Sequence, residues 1–270
     1  MLPKEIIQYY QEVAEEGRLL AGPSQLEFLR TKEIVFRYLP PPPATVLDVG
    51  GAAGAYALWL AGKGYHVHLI DAVPRLVEEA RRRSAASPNP IRTCEVGDAR
   101  DLRFPDSTAD AVLLLEPLYH LTEATDRLCA LRQAYRVLRP GGVIFAAAIS
   151  RYASALDGLA RDLFADPSYY GIVERDLEQG QHRNDTGKWD CFTTAYFHRP
   201  EELEAEVVSA GFNCQAVLGL EGPGWLLPDF DERWADTRKR EDLLRVARAL
   251  EREASIIGLS AHLLAVGAKA

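Results

Sequence analysis

Between residues 45 and 148 the chain alternates short apolar runs with amphipathic helical segments, and this alternation restricts the fold more than any other sequence feature. The runs are mainly apolar, as expected of strands that are buried on both faces. Such strands, separated by helices, are typical of a parallel sheet covered on both sides. The predicted strands are 45–47, 66–70, 91–96, 111–115 and 143–148, and the helices between them are 54–63, 74–86 and 123–138.

The last third of the chain returns to regular elements. It contains a helix that Pro200 opens, a strand at 212–220 and a final strand at 260–268. Together with the first five strands, these elements predict a doubly wound α/β fold. We expect a mostly parallel, seven-stranded sheet with helices on both faces.

Three segments lie outside this pattern. Residues 4–20 and 24–38 have apolar residues at helical spacing, and the prolines at 40–43 separate them from the first strand. We expect 1–43 to be an N-terminal helical lid, 44–150 the core, 151–199 a lid or substrate insertion, and 200–270 the completion of the core around an inserted segment, 221–257, that contains a long charged helix at 229–257.

The composition excludes several classes of protein. The chain has 270 residues, with 31 lysines and arginines against 39 aspartates and glutamates, and a net charge of −8. This acidic charge disfavours nucleic acid as the main partner, because binding to a phosphate backbone depends on clustered basic residues. The four cysteines lie far apart without metal-ligand spacing, so we assign no metal. We find no membrane-spanning or signal segment and expect a cytoplasmic protein.

The turn after the first strand carries the most specific motif. It reads Leu47-Asp48-Val49-Gly50-Gly51-Ala52-Ala53-Gly54, where small residues let backbone approach a ligand and the next helix points its amides at it. The dinucleotide-binding pattern G-x-G-x-x-G does not fit. A nicotinamide-dependent oxidoreductase is therefore disfavoured.

This motif resembles the first motif of the class I S-adenosylmethionine-dependent methyltransferases, hydrophobic-D-x-G-x-G-x-G, with Ala52 in place of the middle glycine. Further pieces follow in the family's order: Asp71 and Ala72 after the second strand, Asp98 and Ala99 after the third, Glu116 after the fourth, and Arg139-Pro140-Gly141-Gly142 before the fifth. The resemblance implies a Rossmann-like cofactor-binding core at 44–150.

The resemblance also implies the roles of these residues. Asp48 is expected near the amino group of S-adenosylmethionine, Asp71 at the ribose hydroxyls, and Asp98 with the Ala99 amide at the adenine edge. Gly50, Gly51, Gly54, Ala72 and Glu116 complete the predicted cofactor site. For the cofactor carboxylate, our first candidate is Arg30 and our second is Arg18.

The acceptor side is less defined. Tyr119 and His120 follow the fourth strand, and a histidine there has a suitable pKa to take a proton from an acceptor. A histidine that only caps the next helix is the alternative. The insertion offers His182, Arg183, Trp189 and Tyr196 as substrate residues, although packing of a lid onto the core explains these side chains equally well.

These observations predict a methyltransferase that moves a methyl group from S-adenosylmethionine to a small-molecule acceptor by in-line displacement, with S-adenosylhomocysteine as the product. The alternatives are a non-catalytic S-adenosylmethionine-binding module and a methyltransferase acting on RNA or protein. The sequence does not identify the acceptor or its O, N, S or C atom. Both a monomer and a homodimer are compatible with it.

Overall fold

The computed structural model describes residues 3–12, 15–188 and 191–270, and its centre is a twisted sheet that runs through the whole chain. The strands are β1 (Thr45–Val49), β2 (His66–Asp71), β3 (Thr93–Val96), β4 (Ala109–Leu114), β5 (Leu138–Ser150), β6 (Gln181–His182), β7 (Ala195–His198), β8 (Asn213–Gly219) and β9 (His262–Ala268). The order β3-β2-β1-β4-β5 is parallel throughout, which confirms the predicted doubly wound α/β core.

The described part of the sheet has nine strands rather than the predicted seven. The additional pair comes from the insertion, in which β6 and β7 form a short antiparallel ladder. Ile149 of β5 pairs with Phe197 of β7 on one side and with His262 of β9 on the other. Because β4 ends before this point, β7 occupies the edge of β5 that β4 leaves open. The insertion therefore stands directly beyond the carboxyl end of β4.

The last two strands determine which residues face the same edge of the sheet. β9 is antiparallel to both β5 and β8, so β8 runs parallel to β5. The carboxyl end of β8 and the amino end of β9 consequently lie at the edge where β1, β2, β4 and β5 end. Ligands bind at this edge in open α/β sheets.

Eleven α-helices surround the sheet in the described part of the chain: α1 (Lys4–Glu12), α2 (Ser24–Tyr38), α3 (Ala55–Ala61), α4 (Pro74–Ala85), α5 (Pro117–His120), α6 (Ala124–Val137), α7 (Ala153–Ala160), α8 (Ser168–Gln179), α9 (Pro200–Ser209), α10 (Phe230–Ala235) and α11 (Thr237–Leu250). One apolar core lies between the sheet and α2, α3 and α4, and a second lies between the opposite face and α6 and α9. Both faces of the sheet are thus covered, as its apolar strands require.

Two predicted helices differ from those observed. The segment 4–20 is divided into α1 and a 3-10 turn over Glu15–Leu20. The expected helix at 229–257 is two helices, because the Asp236 side chain accepts the backbone N–H groups of Arg238 and Lys239 and starts α11 there. Among the described residues, no helix is both long and apolar enough to cross a bilayer.

Candidate active site

Several adjoining cavities open at the strand ends. The strand-end cavity, about 550 Å³, is lined by residues that follow β1, β2 and β3, with α5 at its side. The turn cavity, about 670 Å³, lies against the turn between β1 and α3. Gly50 and Glu116 line both cavities, so the two join at the carboxyl ends of β1 and β4.

Glycine is required sterically at the first two positions of the turn. Gly50 has φ +74°, and a Cβ there would lie 2.5 Å from the ring of Pro117. A Cβ on Gly51 would lie 2.8 Å from Oδ2 of Asp48. Gly54 adopts the left-handed conformation at the start of α3. Ala52 also has a positive φ, of 44°, which glycine adopts at less cost than alanine.

Asp71 links the turn to β2. Its Oδ2 accepts the backbone N–H of Ala52 at 2.9 Å, and its Oδ1 accepts that of Val73 at 2.8 Å. The carboxylate is therefore fixed by backbone on both sides while it lines the strand-end cavity together with Ala72. A carboxylate has about four acceptor positions, so further donors can still bind it.

Asp48 carries a buried oxygen without a partner. The residue is 1% exposed, and Oδ2 makes no hydrogen bond to any residue in the described ranges. Burial and the nearby Asp71 carboxylate raise the pKa of Asp48 to about 7, although a backbone hydrogen bond at Ala57 partly opposes the shift. A positively charged ligand group in the turn cavity, which Asp48 lines, would relieve both effects.

Asp98 lies at the far end of the strand-end cavity with Ala99. The Arg100 guanidinium donates to Oδ1 at 2.9 Å and to Oδ2 at 2.6 Å, and these hydrogen bonds hold the pKa of Asp98 below its ordinary value. Asp98 is therefore an ionised acceptor with a fixed orientation. Glu116, the last of the predicted acids, lies 3.6 Å from a guanidinium nitrogen of Arg18.

The structure does not bring Arg30 to these cavities. Its fully buried guanidinium pairs instead with Glu33 and with Glu251 at the end of α11. Arg18, the second candidate, lies at the cleft, where it donates to Glu27 at 2.9 Å. Arg30 therefore belongs to the contact between α2 and the end of α11.

A larger space, the large cavity of about 1,040 Å³, lies next to the strand-end cavity. Elements outside the parallel core build most of it: α1, the 3-10 turn at 15–20, the insertion, and the loop after β8. Its aromatic walls are Tyr9, Tyr119, Tyr169, Phe192, Phe197 and Trp225. Tyr10 lines both the large cavity and the strand-end cavity and so marks the junction between them.

His120 holds Tyr10 at this junction. The Tyr10 hydroxyl lies 2.7 Å from Nε2 of His120, and the carbonyl of Thr194 lies 3.3 Å from Nδ1. Burial lowers the pKa of His120 to about 4, so the ring is neutral at pH 7. A carbonyl only accepts, which places the hydrogen of the neutral ring on Nδ1 and makes Tyr10 the donor to Nε2.

The other predicted acceptor residues are divided between cavity and scaffold. Tyr119 and His182 line the large cavity. Arg183 donates to the carbonyl of His182 and to Gln181 within the hairpin, and Tyr196 lies under the Arg127 guanidinium; neither lines that cavity. Trp189 lies outside the described residues.

His182 is held firmly. Its Nδ1 lies 2.8 Å from a carboxylate oxygen of Asp176, and its Nε2 lies 2.9 Å from the carbonyl of Cys191. The ring stacks on Phe197 with 4.6 Å between centroids. His182 is therefore a rigid part of the cavity wall.

Sequence reasoning missed one polar cluster. Glu27, Glu221 and His262 line the large cavity, and within the described ranges they form a group whose potential ligand atoms all lie within 4.8 Å of one another. Positive charge is already close, since Arg18 donates to Glu27. The only indication in the sequence is that Glu221 follows β8 and His262 begins β9. That the two residues lie at the same edge of the sheet depends on the antiparallel direction of β9.

Known proteins share this arrangement. A family model described as a methyltransferase domain matches residues 46–142. A ubiquinone biosynthesis O-methyltransferase of Methylocella silvestris is 36% identical over 200 residues, which cover 71% of this chain and 69% of that protein. A demethylmenaquinone methyltransferase of Tropheryma whipplei is 32% identical over 145 residues, which cover 49% of this chain and 58% of the relative. The chain thus spans less than two thirds of that relative.

The fold has matches among solved structures. An S-adenosylmethionine dependent methyltransferase from Mesorhizobium loti superposes with a TM-score of 0.59 over 90% of this chain and 100% of its own, at 19% identity. This likeness concerns the fold alone, whereas the similarity in sequence extends over two thirds of the Methylocella enzyme. The chain therefore belongs to the class I S-adenosylmethionine-dependent methyltransferases, a family whose cofactor is S-adenosylmethionine.

Proposed function

We propose that this methyltransferase acts on a small organic acceptor that binds in the large cavity. The observation that carries the proposal is the junction at Tyr10, where the large cavity meets the strand-end cavity. The aromatic walls of the large cavity suit a small organic ligand. The net charge of −8 supports a small acceptor over RNA, and the quinone-pathway names of the relatives point in the same direction.

The residues at the strand ends fit the methyl donor. The unpartnered Oδ2 of Asp48 suits the donor's ammonium group, and Gly50 and Gly51 leave a space that a Cβ would fill. We assign Asp71 to the ribose hydroxyls, Asp98 with the Ala99 amide to the adenine, and Arg18 to the donor carboxylate. Ala72 and Glu116 line the remaining surface. We assign Gly54 the buried left-handed turn that begins α3. The donor supplies an electrophilic methyl group on a positively charged sulfur.

The protein's own contribution is then mainly orientation and exclusion of water. Tyr119 and His120 are the catalytic candidates that the sequence predicted. We assign His120 the task of fixing Tyr10 across the junction, because its Nε2 is occupied by the Tyr10 hydroxyl. Tyr119 lines the large cavity and contacts the ring of His120. His182 forms part of the acceptor wall.

Two measurements test the proposal. Calorimetric titration with S-adenosylmethionine and S-adenosylhomocysteine, with NADH as the control, is expected to give micromolar binding of the first two only. Methyl-labelled donor is then offered with phenols, amines, thiols, RNA and protein. Transfer to a small molecule is the expected result; label found only in RNA or protein would contradict the proposal.

A further inference from the structure

Glu221 and His262 form a pair in the wall of the large cavity. Oε1 of Glu221 lies 2.6 Å from Nδ1 of His262, and Oε2 accepts the backbone N–H of the same residue at 3.1 Å. Both carboxylate oxygens thus bind His262, one at the ring and one at the backbone. The Glu221 side chain is 2% exposed. The orientation of the imidazole is therefore fixed from its buried side.

This contact decides which nitrogen carries the hydrogen. A carboxylate only accepts, so Nδ1 is the donor to Glu221, and the lone pair of the neutral ring is on Nε2. Nε2 makes no hydrogen bond to any residue that the structure describes, and the side chain is 21% exposed. The ring lines the large cavity. His262 is thus arranged as a proton acceptor that faces a ligand site.

Charged groups approach His262 from three packed elements. Glu221 comes from the loop after β8, Glu27 comes from α2 with Oε2 3.8 Å from Nδ1, and Arg18 comes from the turn at 15–20. Burial lowers the pKa of His262, but Glu27 and Glu221 outweigh burial and Arg18, so that the pKa is above its ordinary value. His120, by contrast, has no carboxylate partner among the residues that the structure describes, and its pKa is about 4.

His262 also lies next to the part of the cleft assigned to the methyl donor. It lines a narrow cavity between the large cavity and the turn cavity, which Arg18, Tyr119 and Glu116 also line. Glu116 in turn lines both cavities of the donor site. A ligand group bound to His262 would therefore lie between the large cavity and the proposed donor site.

We propose that His262, oriented by Glu221, takes the proton from the acceptor, and that the acceptor is an aromatic ring bearing an ionisable hydroxyl group. This inference rests on the proposed function. The acceptor oxygen forms a bond to the methyl carbon as the methyl–sulfur bond breaks, and the hydroxyl proton passes to Nε2. The positive charge lost at sulfur appears on the imidazolium, so atoms and charge balance. Glu221 and Glu27 stabilise that charge.

The large cavity suits both the ring and the hydroxyl group of such an acceptor. Aromatic side chains form its walls and favour stacking with a ring. The imidazolium provides positive charge near an oxygen that becomes negative as it loses its proton. The sequence motifs gave no indication of this pair, because His262 and Glu221 lie outside all of them.

The experiment uses 4-nitrophenol, whose ionised form absorbs visible light, with the full-length protein saturated with S-adenosylhomocysteine. We expect the ionisation midpoint of the bound probe to lie about one pH unit or more below that of the free probe, a tenfold effect. His262→Gln is expected to abolish this shift and Glu221→Gln to reduce it. His66→Gln, on β2 and away from the cavity, is the matched control and retains the shift.

Three results would overturn the inference: an equal shift in His262→Gln, no binding of 4-nitrophenol to the wild-type complex, or a shift that requires Mg²⁺ or Zn²⁺ and is lost with EDTA. The last result would make His262, Glu27 and Glu221 metal ligands. Affinity for S-adenosylhomocysteine within twofold of wild type verifies that each variant is folded.

A second measurement needs no variant. Imidazole ¹⁵N spectra of the wild-type protein are expected to show that neutral His262 carries its hydrogen on Nδ1. A hydrogen on Nε2 instead would refute the proposal that His262 takes the proton from the acceptor. The proposed function is judged separately, because methyl transfer to an amine without ionisation of bound 4-nitrophenol would preserve it and remove the His262 inference.

Discussion

The proposed donor site and the proposed acceptor site are built in different ways. At the donor site, backbone groups at strand ends hold the functional side chains, as Ala52 and Val73 hold Asp71. At the acceptor site, side chains from distant segments hold one another, as His120 of α5 holds Tyr10 of α1. Tyr10 and His120 are 110 positions apart in the chain. The first kind of site depends on the sheet, and the second depends on how the additional segments pack.

This difference has a functional consequence. A Cβ at Gly50 or Gly51 would meet Pro117 or Asp48, so changes in the β1–α3 turn disturb its packing as well as the proposed donor site. The lining of the large cavity comes from segments that can change without altering strand order. One core can thereby serve different acceptors, as is common among folds that host many functions.

The largest expected effect is at Gly50. Gly50→Ala places a methyl group 2.5 Å from the Pro117 ring at a positive φ. We expect loss of about 3 kcal/mol in donor binding, or roughly 100-fold, from steric overlap and backbone strain. Gly141→Ala is the matched control, since Gly141 has φ +78° but nothing within 4 Å of its Cβ position. Calorimetric titration with S-adenosylhomocysteine measures both; equal binding by the two variants would contradict the steric argument.

Asp48→Asn tests the electrostatic part of the donor site. We expect donor affinity to fall about 30-fold, because a hydrogen bond to a charged group contributes about 2 kcal/mol. The free variant should be more stable than wild type at pH 8. The raised pKa of Asp48 means that its stabilising contribution is complete below pH 3.8 and is lost as the pH rises through about 7.

Melting temperatures measured from pH 5 to pH 8 test the direction of this pH dependence. The advantage of Asp48→Asn over wild type is expected to grow as the pH rises. A constant difference, or one that grows toward acid, would show that Asp48 is already ionised without a ligand. Binding of the donor should also release protons below pH 7, which calorimetry in buffers of different ionisation enthalpy detects.

Tyr10→Phe tests whether the junction between the two sites matters. The aromatic ring remains, but the hydroxyl that donates to Nε2 of His120 is lost. We expect kcat/KM to fall about tenfold, or 1.4 kcal/mol in the activation barrier, with the donor affinity little changed. Since the donor to neutral Nε2 is gone, the pKa of His120 should rise from about 4, which NMR titration follows. An unchanged kcat/KM would show that the hydrogen bond between Tyr10 and His120 does not contribute to catalysis.

The smallest effect is expected in the part of the insertion that does not line the large cavity. The hydroxyl of Tyr196 lies 3.2 Å from a guanidinium nitrogen of Arg151, on the scaffold side of the hairpin. Tyr196→Phe should leave the acceptor KM within about twofold, because it removes only two long, partly buried hydrogen bonds, one from Arg151 and one to Glu202. Steady-state kinetics measure this, and a large rise in KM would place Tyr196 at the acceptor after all.

The sequence predicted the fold and the position of four acids at the strand ends for a physical reason. Continuous apolar strands require covered faces, and the carboxyl ends of parallel strands must meet at one edge. Asp48, Asp71, Asp98 and Glu116 therefore lie together once the strands are recognised, and all four line the strand-end or turn cavity. Two short strands escaped prediction because β6 and β7 are stabilised by the free edge of β5 rather than by their own pattern.

The positions of residues outside the parallel core were harder to predict, for the complementary reason. Arg30 and Arg18 both precede the first strand, and only tertiary packing decides that Arg18 reaches the cleft while Arg30 meets Glu251. His262 and Glu221 require the direction of β9, which periodicity does not reveal. Tyr196 and His182 alternate within one hairpin, so a shift of one residue in register decides which side faces the cavity.

The most direct test of the central claim is to follow the methyl group itself. The protein is incubated with methyl-tritiated S-adenosylmethionine and a bacterial extract divided into small-molecule, RNA and protein fractions. The account predicts label in the small-molecule fraction, and Gly50→Ala should abolish it while Gly141→Ala should not. Label that enters only the RNA or protein fraction, or no transfer at all, would contradict the account.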